Sequence, residues 1–331
     1  MTLSINTNAS ALLAIETLDA TQTALSNTEN VVSTGKKVNS AADNTAAYAI
    51  SQQLSGQNSG LSAVNSGLTF AAQVVNTTTT AVSNILSDLK SIQSLVNTLT
   101  NNQTNSNNIH DTSESITQTL NAINVVARNA TLNGVNLLVS SSSDGVGIKG
   151  TSLTYLTSLG GDTSVIKGLH ALASQNGAGA ATSINTALTG FTGTSLTDAL
   201  GLTKGIDSNG EATSNIFTTA DGTNLNTSTV FATSTGSGTA AQQMVSLIEQ
   251  AITAMTSIAS KLGSNSTIIS SMSSFGTTLS DNITQGVGAL TDADMSAASA
   301  QLTSLQTKQS LAIKSLTIAN SQSQSILSLF Q

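Results

Sequence analysis

The side chains that could carry chemistry in this chain are few and scattered. His110 and His170 are its only histidines, and they stand sixty residues apart. A zinc hydrolase of the H-E-x-x-H type needs two histidines one helical turn apart, with a glutamate between them as base. Neither histidine here is followed by glutamate, so His110 reads as a loop or surface residue. Cysteine is absent, which removes thiolate ligands, disulfides and sulfur nucleophiles. No Gly-x-Ser-x-Gly elbow, phosphate-binding loop or paired-carboxylate site stands out. Asp292 and Asp294 sit together at a helix start, where capping and the helix dipole account for them. The expectation is a non-enzyme with no catalytic, cofactor or metal site.

The charge pattern excludes further classes. The net charge is −7, with one arginine, Arg128, and scattered lysines. No basic patch can meet a phosphate backbone, so nucleic acid is not a partner. No apolar run approaches the roughly 18 residues needed to cross a bilayer. The opening residues carry no basic stretch before Lys36, so a cleaved secretory signal is not expected.

What remains is a structural pattern, and it lies at the two ends. Proline is absent, so helices can run unbroken. The first segment has a seam at Ala11, Ile15, Leu18, Gln22, Leu25, Glu29 and Val32, and Gly35 can end it. Asn39 to Asn44 reads as a connector. The second seam is the longest: Leu61, Val64, Leu68, Ala71, Val75, Thr78, Val82, Ile85, Leu89, Ile92, Val96 and Leu99, with Ile50 and Leu54 extending it backwards. Its strict three-four alternation predicts a coiled-coil-like bundle. A polar loop over 101–108 leads to a shorter helix with Ile116, Leu120, Ile123 and Ala127 on one face. Asn133-Gly134 then marks a turn.

Between about 140 and 240 the periodicity vanishes. Sixteen of the 25 glycines fall there, which predicts short strands joined by turns, with a short helix near Leu169–Ala173. Phe191, Phe217 and Phe231 could seed a small core; a disordered linker is the alternative. Helical period resumes at Met244, Ile248, Ala251, Met255, Ile258 and Leu262. Gly263 is a candidate weak point. A restart follows at Ile268, Met272, Phe275 and Leu279, and Gly286-Val287-Gly288 is a candidate joint. The last seam is Met295, Ala298, Leu302, Leu305, Gln309, Ala312, Leu316, Ala319, Ser323, Ile326 and Phe330.

The fold class is therefore mainly α: a long antiparallel helical bundle built from both termini, with a β-rich or mixed central domain. Aromatics are only 2% of residues, so small aliphatic side chains must fill this core and helices can approach closely. The final helix carries apolar residues on several sides, including Leu311, Ile313, Ile318, Leu327 and Leu329. A helix apolar all round must be surrounded, and one partner helix is too narrow. Each such side chain contributes about 1.5–3 kcal/mol when buried. The expectation is coupled ordering and assembly with further copies, through Leu18, Leu25, Val32, Leu302, Leu305, Leu316, Ile326 and Phe330. The alternative is an intramolecular bundle with fraying ends. The second-layer seam would be Leu61, Leu68, Val75, Val82 and Leu89 against Met244, Ile248 and Met255.

These ends resemble bacterial flagellin, the subunit of the flagellar filament. The resemblance rests on Ile5 to Asn8 with Ala11-Leu12, on Ser33-Thr34-Gly35-Lys36-Lys37-Val38-Asn39-Ser40 to Asp43, and on Thr131-Leu132-Asn133-Gly134 with Leu132 replacing the usual aromatic. At the other end it rests on Leu290 to Asp294, Ile318 to Asn320, and Ser328-Leu329-Phe330. It covers roughly 1–140 and 241–331. It implies an inner helical layer of residues 1–44 and 287–331 and a second layer of 45–140 and 241–286. It places residues 141–240 in a variable outer domain. It also implies an extracellular location on the flagellum, export unfolded through the flagellar type III apparatus, and swimming motility. Implied partners are identical subunits, an export chaperone on the C-terminal helix, and filament cap and hook-associated proteins, with no membrane insertion.

Some family members carry an outer-region protease, for which the motif is missing here. Members sensed by the animal innate flagellin receptor carry an arginine and a nearby glutamate where Asp88 and Ser115 fall. The departures imply weak receptor activation. A hook–filament junction protein and a secreted adhesin with similar ends are the rival readings. Asn-x-Ser/Thr sites such as Asn226 follow from composition alone, and O-glycosylation of outer Ser/Thr is a further expectation.

Overall fold

The computed structural model describes residues 8–101, 106–139, 147–168, 196–200, 202–206, 212–215 and 240–328. In chain order it has helices α1 (Ala9–Thr34), α2 (Thr45–Asn101) and α3 (Ser106–Asn129), then strands β1 (Ser152–Leu156) and β2 (Thr163–Lys167). A single helical turn, α4 (Leu196–Ala199), is followed by β3 (Thr203–Ile206) and β4 (Ala212–Asn215), then helices α5 (Ala240–Thr291) and α6 (Met295–Ser328). The protein is mainly α, and among the described residues its middle holds two short antiparallel strand pairs. It divides into two compact units, one made of Met1–Gly60 and Thr278–Gln331, the other of Leu61–Thr277.

The Leu61–Thr277 unit holds the main core. Leu68, Ala71, Val75, Val82, Ile85, Leu89, Ile92 and Val96 of α2 are essentially removed from solvent. They meet Ile116, Leu120, Ile123 and Ala127 of α3, and Met244, Ile248, Ala251 and Met255 of α5, in one cluster. The three-four spacing keeps these residues on one stripe as each helix turns. Thr78 also lies in the α2 stripe, and its hydroxyl donates to the Val74 carbonyl at 2.8 Å. That bond is what lets a polar residue sit in the core, since an unpaired buried hydroxyl would cost about 1–3 kcal/mol.

Helix α5 corrects the sequence reading in two ways. It runs unbroken through Gly263, Gly286 and Gly288. A helical glycine costs only about 1 kcal/mol relative to alanine, which tertiary burial of neighbours such as Ile258, Leu262 and Ile269 outweighs. Its inward row after Leu262 is Ile269 and Gly276, not Ile268 and Phe275, which are 48% and 68% exposed. Asn65 of α2 reinforces that register: it donates to the Thr277 hydroxyl at 3.1 Å and accepts from Ser273 at 2.9 Å. Helix α3 also starts at Ser106, inside the expected polar loop, with half-buried Ile109 on its inward side.

Past α3, Asn133 and Gly134 both adopt positive φ, 49° and 82°, and Leu132 and Val135 exchange backbone hydrogen bonds across them. Two left-handed residues in succession suit an Asn-Gly pair because neither position tolerates a bulky Cβ. Asn136, fully buried, then ties off the end of α3. Its amide donates to the carbonyls of Ala127 and Arg128 and to the Thr131 hydroxyl at 2.8, 3.1 and 2.9 Å, and its carbonyl oxygen accepts from the Leu138 N–H at 2.8 Å.

Strands β1 and β2 pair with Leu153 opposite Ile166 and Tyr155 opposite Ser164. Leu153, Tyr155 and Ile166 face the core. Strands β3 and β4 pair with a register irregularity. A buried polar cluster fastens α4 and β3 to α3: Asn124 bonds the Thr197 hydroxyl at 2.9 Å, and that hydroxyl lies 3.0 Å from the Thr203 hydroxyl. The expected helix near Leu169–Ala173, and Phe191, Phe217 and Phe231, lie outside the described residues.

Candidate functional site

The Met1–Gly60 and Thr278–Gln331 unit pairs α1 with α6. The pairing is antiparallel. At one end the Asn8 amide donates to the Ala319 carbonyl at 2.9 Å. At the other the Ala293 N–H donates to the Gly35 carbonyl at 2.9 Å. These ties set Ala11 about level with Leu316, and Leu25 about level with Leu302. Asn8 has a second role as N-cap of α1, accepting from the Ala11 N–H at 3.0 Å.

The row of α1 that faces inward is Ala11, Ala14, Leu18, Thr21, Leu25, Thr28 and Val32. Ile15, Gln22 and Glu29, expected on the seam, are exposed. Burying Gln22 and Glu29 would strand an amide and a carboxylate without partners. Rotating them outward places Ala14 and Thr21 at the contact, and Thr28 spends its hydroxyl on the Ala24 carbonyl at 2.9 Å. On α6, Ala298 and Leu305 are buried, while Leu302, Gln309, Ala312, Leu316 and Ala319 are half-buried.

Of the residues singled out for assembly, Leu18, Leu25 and Val32 therefore share one interface with Leu302, Leu305 and Leu316. Ile326 lies in α6, with its side chain outside the described set, and Phe330 lies outside the described residues. The contact leaves much of both helices uncovered. Leu12 and Leu13 of α1 are 59% and 62% exposed, and Leu311 and Ile318 of α6 are 66% and 67% exposed. Among the described residues, Leu25 and Leu305 are the only large aliphatics of this pair that are buried.

A backbone clasp holds the base of the pair. Gly35 takes φ 71° and ends α1 by donating its N–H to the Val31 carbonyl at 2.8 Å. The Lys37 N–H donates to the Thr291 carbonyl at 2.7 Å, and the Lys37 ammonium donates to the Ala289 carbonyl at 2.9 Å. A cation is favourable there because the last carbonyls of α5 carry partial negative charge. Asp294 then caps α6, accepting from the Ser296 and Ala297 N–H groups at 2.9 and 3.2 Å.

The connector beyond is pinned by Asp43, which accepts from the Ser40 and Asn39 N–H groups at 2.8 and 3.0 Å and from the Ser40 hydroxyl at 3.1 Å. Those bonds hold its carboxyl below the usual aspartate range. Asn44 caps α2 through the Ala47 N–H at 3.0 Å. The expected seam extension at Ile50 is not buried; Ser51 faces inward, with its hydroxyl bonded to the Tyr48 carbonyl at 2.8 Å. The clasp could not be read from hydrophobic period, because it is made by backbone groups of two segments about 250 residues apart. Its local signals were Gly35 and the two aspartates at 292 and 294.

In the other unit, Leu61, Leu68, Val75, Val82 and Leu89 of α2 and Met244, Ile248 and Met255 of α5 are all buried. Asp88 is half-buried on α2, and desolvation raises its carboxyl above the usual range. Ser115 is exposed on α3 and donates to the Asp111 carbonyl at 2.8 Å. His110 is an exposed neighbour of Asp111, and His170 lies outside the described residues. Among the described residues no cluster of His, Cys, Asp or Glu is placed to hold a metal, and no helix is long and apolar enough to cross a membrane.

Comparison with known proteins matches both ends of the chain to families. Residues 5–143 match the bacterial flagellin N-terminal helical region, and residues 245–330 match the bacterial flagellin C-terminal helical region. A flagellin of Brucella melitensis is 32% identical over 329 residues, covering 99% of each chain. Flagellin FljO of Caulobacter vibrioides is 29% identical, covering 99% of this chain and 98% of its own. Flagellin C of Rhizobium meliloti is 29% identical, covering 99% of both.

Proposed function

We propose a mode of assembly for this chain, which belongs to the bacterial flagellin family and is a structural subunit of the extracellular flagellar filament. Residues 1–44 and 287–331 form the inner layer around the filament axis. Residues 45–140 and 241–286 form the second layer, and residues 141–240 face outward. One observation carries the reading: the α1–α6 pair leaves Leu12, Leu13, Leu311 and Ile318 mostly exposed in the single subunit. Apolar surface of that extent on paired helices calls for more helices around it, and identical copies supply them.

The subunit reaches the tip unfolded through the flagellar type III apparatus. A chaperone masks α6 before export, and cap and hook-associated proteins receive the subunit. The filament turns rotation into swimming thrust. Absence of proline and cysteine supports passage through a narrow channel, since neither slow X-Pro isomerisation nor disulfides hold the chain folded.

Seeded polymerisation of the purified chain, read by electron microscopy, tests the inner-layer assignment. Leu316→Asp sets a charge in the α1–α6 seam and should abolish filaments while the Leu61–Thr277 core melts at the parent temperature. Normal filaments from that variant refute the assignment. Asp88 and Ser115 further make the monomer a weak activator of the animal flagellin receptor; potent activation in a cell reporter assay would refute that.

A further inference from the structure

The α1–α6 pair is closed by different means at its two ends. At its base the backbone clasp around Gly35, Thr291 and Ala293 ties the helices together, and buried Leu25 lies nearer that end. At the open end the seam is Ala11 and Ala14 with half-buried Ala312, Leu316 and Ala319. An alanine has one methyl group to bury, so this end gains little from apolar contact. The threonines of the inward row do not cross the seam: Thr21 and Thr28 donate to the Thr17 and Ala24 carbonyls of their own helix at 2.7 and 2.9 Å. Asn8 does cross it, donating to the Ala319 carbonyl at 2.9 Å while its side-chain oxygen accepts from the Ala11 N–H at 3.0 Å.

We propose that Asn8 is the positioning residue that closes the open end of the α1–α6 pair, coupling the start of one helix to the flank of the other within each assembled subunit. This rests on the filament-subunit reading above. The residue type carries the argument. Asp, Ser, Thr and Asn all cap a helix by accepting from its first N–H groups. Only asparagine joins that acceptor to an amide donor that can reach a second helix at the same time. A carboxylate has no donor, and a serine has a single hydroxyl on a shorter side chain. This chain uses a carboxylate where capping alone is needed, as with Asp294 at the start of α6. The acceptor is suited to the task as well. Ala319 lies inside α6, so its carbonyl serves the helix ladder with one lone pair and has the second for Asn8. A single side chain therefore starts α1 and holds that start against α6, so the two events reinforce each other.

The test compares Asn8→Asp, Asn8→Ser and Asn8→Ala in the full-length chain by seeded polymerisation. The first two keep the helix cap and lose the tie to α6; the third loses both. All three should leave the melting of the Leu61–Thr277 unit at the parent temperature, because Asn8 lies outside it. Asp and Ser should each raise the critical concentration by about 3–10-fold, and Ala by at least as much. In filaments grown above the new critical concentration, amides of residues 12–18 should exchange at least about tenfold faster in Asn8→Ser than in the parent. A residue that only caps α1 gives a different order: Asp and Ser assemble at the parental concentration with parental exchange, and Ala alone is impaired. That order overturns the proposal. So does a defect confined to Asn8→Asp, which would be repulsion by the added charge rather than loss of the donor. A parent chain that forms no filament at all overturns the filament-subunit reading instead, so the two failures are distinguishable.

Discussion

Replacing Ile318 with alanine separates the subunit's own stability from its assembly. Ile318 lies on α6 facing away from α1 and is 67% exposed. Full burial of an isoleucine contributes about 1.5–3 kcal/mol, so the two-thirds still exposed leave about 1–2 kcal/mol to be gained when neighbours cover it. At 1.4 kcal/mol per decade, losing that gain raises the critical concentration by about 5–30-fold. In the free subunit the effect has the opposite sign. Alanine is the better helix former by a few tenths of a kcal/mol, and almost no packing is lost, so helicity should hold or rise slightly. The assay is a concentration series of seeded polymer, pelleted and read as the plateau of soluble protein, beside far-UV circular dichroism of the monomer. A plateau within about twofold of the parent, with unchanged helicity, would show that Ile318 stays wet in the filament and refute the reasoning.

Other substitutions probe the local devices. Asn136→Ala should leave the Leu138 N–H and the Ala127 carbonyl short of partners, costing about 2–4 kcal/mol, while the Arg128 carbonyl keeps the Thr131 hydroxyl. The melting temperature of the core should fall by about 5–15 °C in a calorimetric scan, and a drop under about 2 °C contradicts the assigned hydrogen bonds. The lowered carboxyl of Asp43 contributes stability that is present above the ordinary aspartate value and is lost as pH falls through its depressed folded value. Protection factors against amide exchange at Asn39 and Ser40, referred to the intrinsic rate at each pH, should therefore hold in mild acid and fall only below the ordinary aspartate range. Loss of protection already well above that range would contradict the bonding.

The degree to which the sequence disclosed this structure varies along the chain, for physical reasons. The α2 row from Leu61 to Val96 is legible because every inward position is Leu, Val, Ile, Ala or Thr, and no competing row is as apolar. The α1 register is not, since Ile15 and Ala14 define seams one residue apart. Apolar counting favours the isoleucine, but close approach and the cost of burying Gln22 and Glu29 favour the alanine. In α5 the true row passes through Gly276, which hydropathy does not register as a packing residue, so Ile268 and Phe275 look like the seam. Glycines at 263, 286 and 288 resemble breaks, yet the end of α5 is set by the backbone clasp around Thr291 and Asp294, which depends on residues 35–38. The turn at Asn133-Gly134 was legible because its backbone demands those residue types.

Hydrogen–deuterium exchange of the whole chain, compared between monomer and filament, tests the central claim most directly. That claim is that α1 and α6 are incompletely packed in one subunit and are completed by identical neighbours. It predicts fast exchange in both helices in the monomer and slowing by about 100-fold or more in the filament, while the buried rows of α2, α3 and α5 are protected in both states. Equal protection of α1 and α6 in monomer and filament would contradict it.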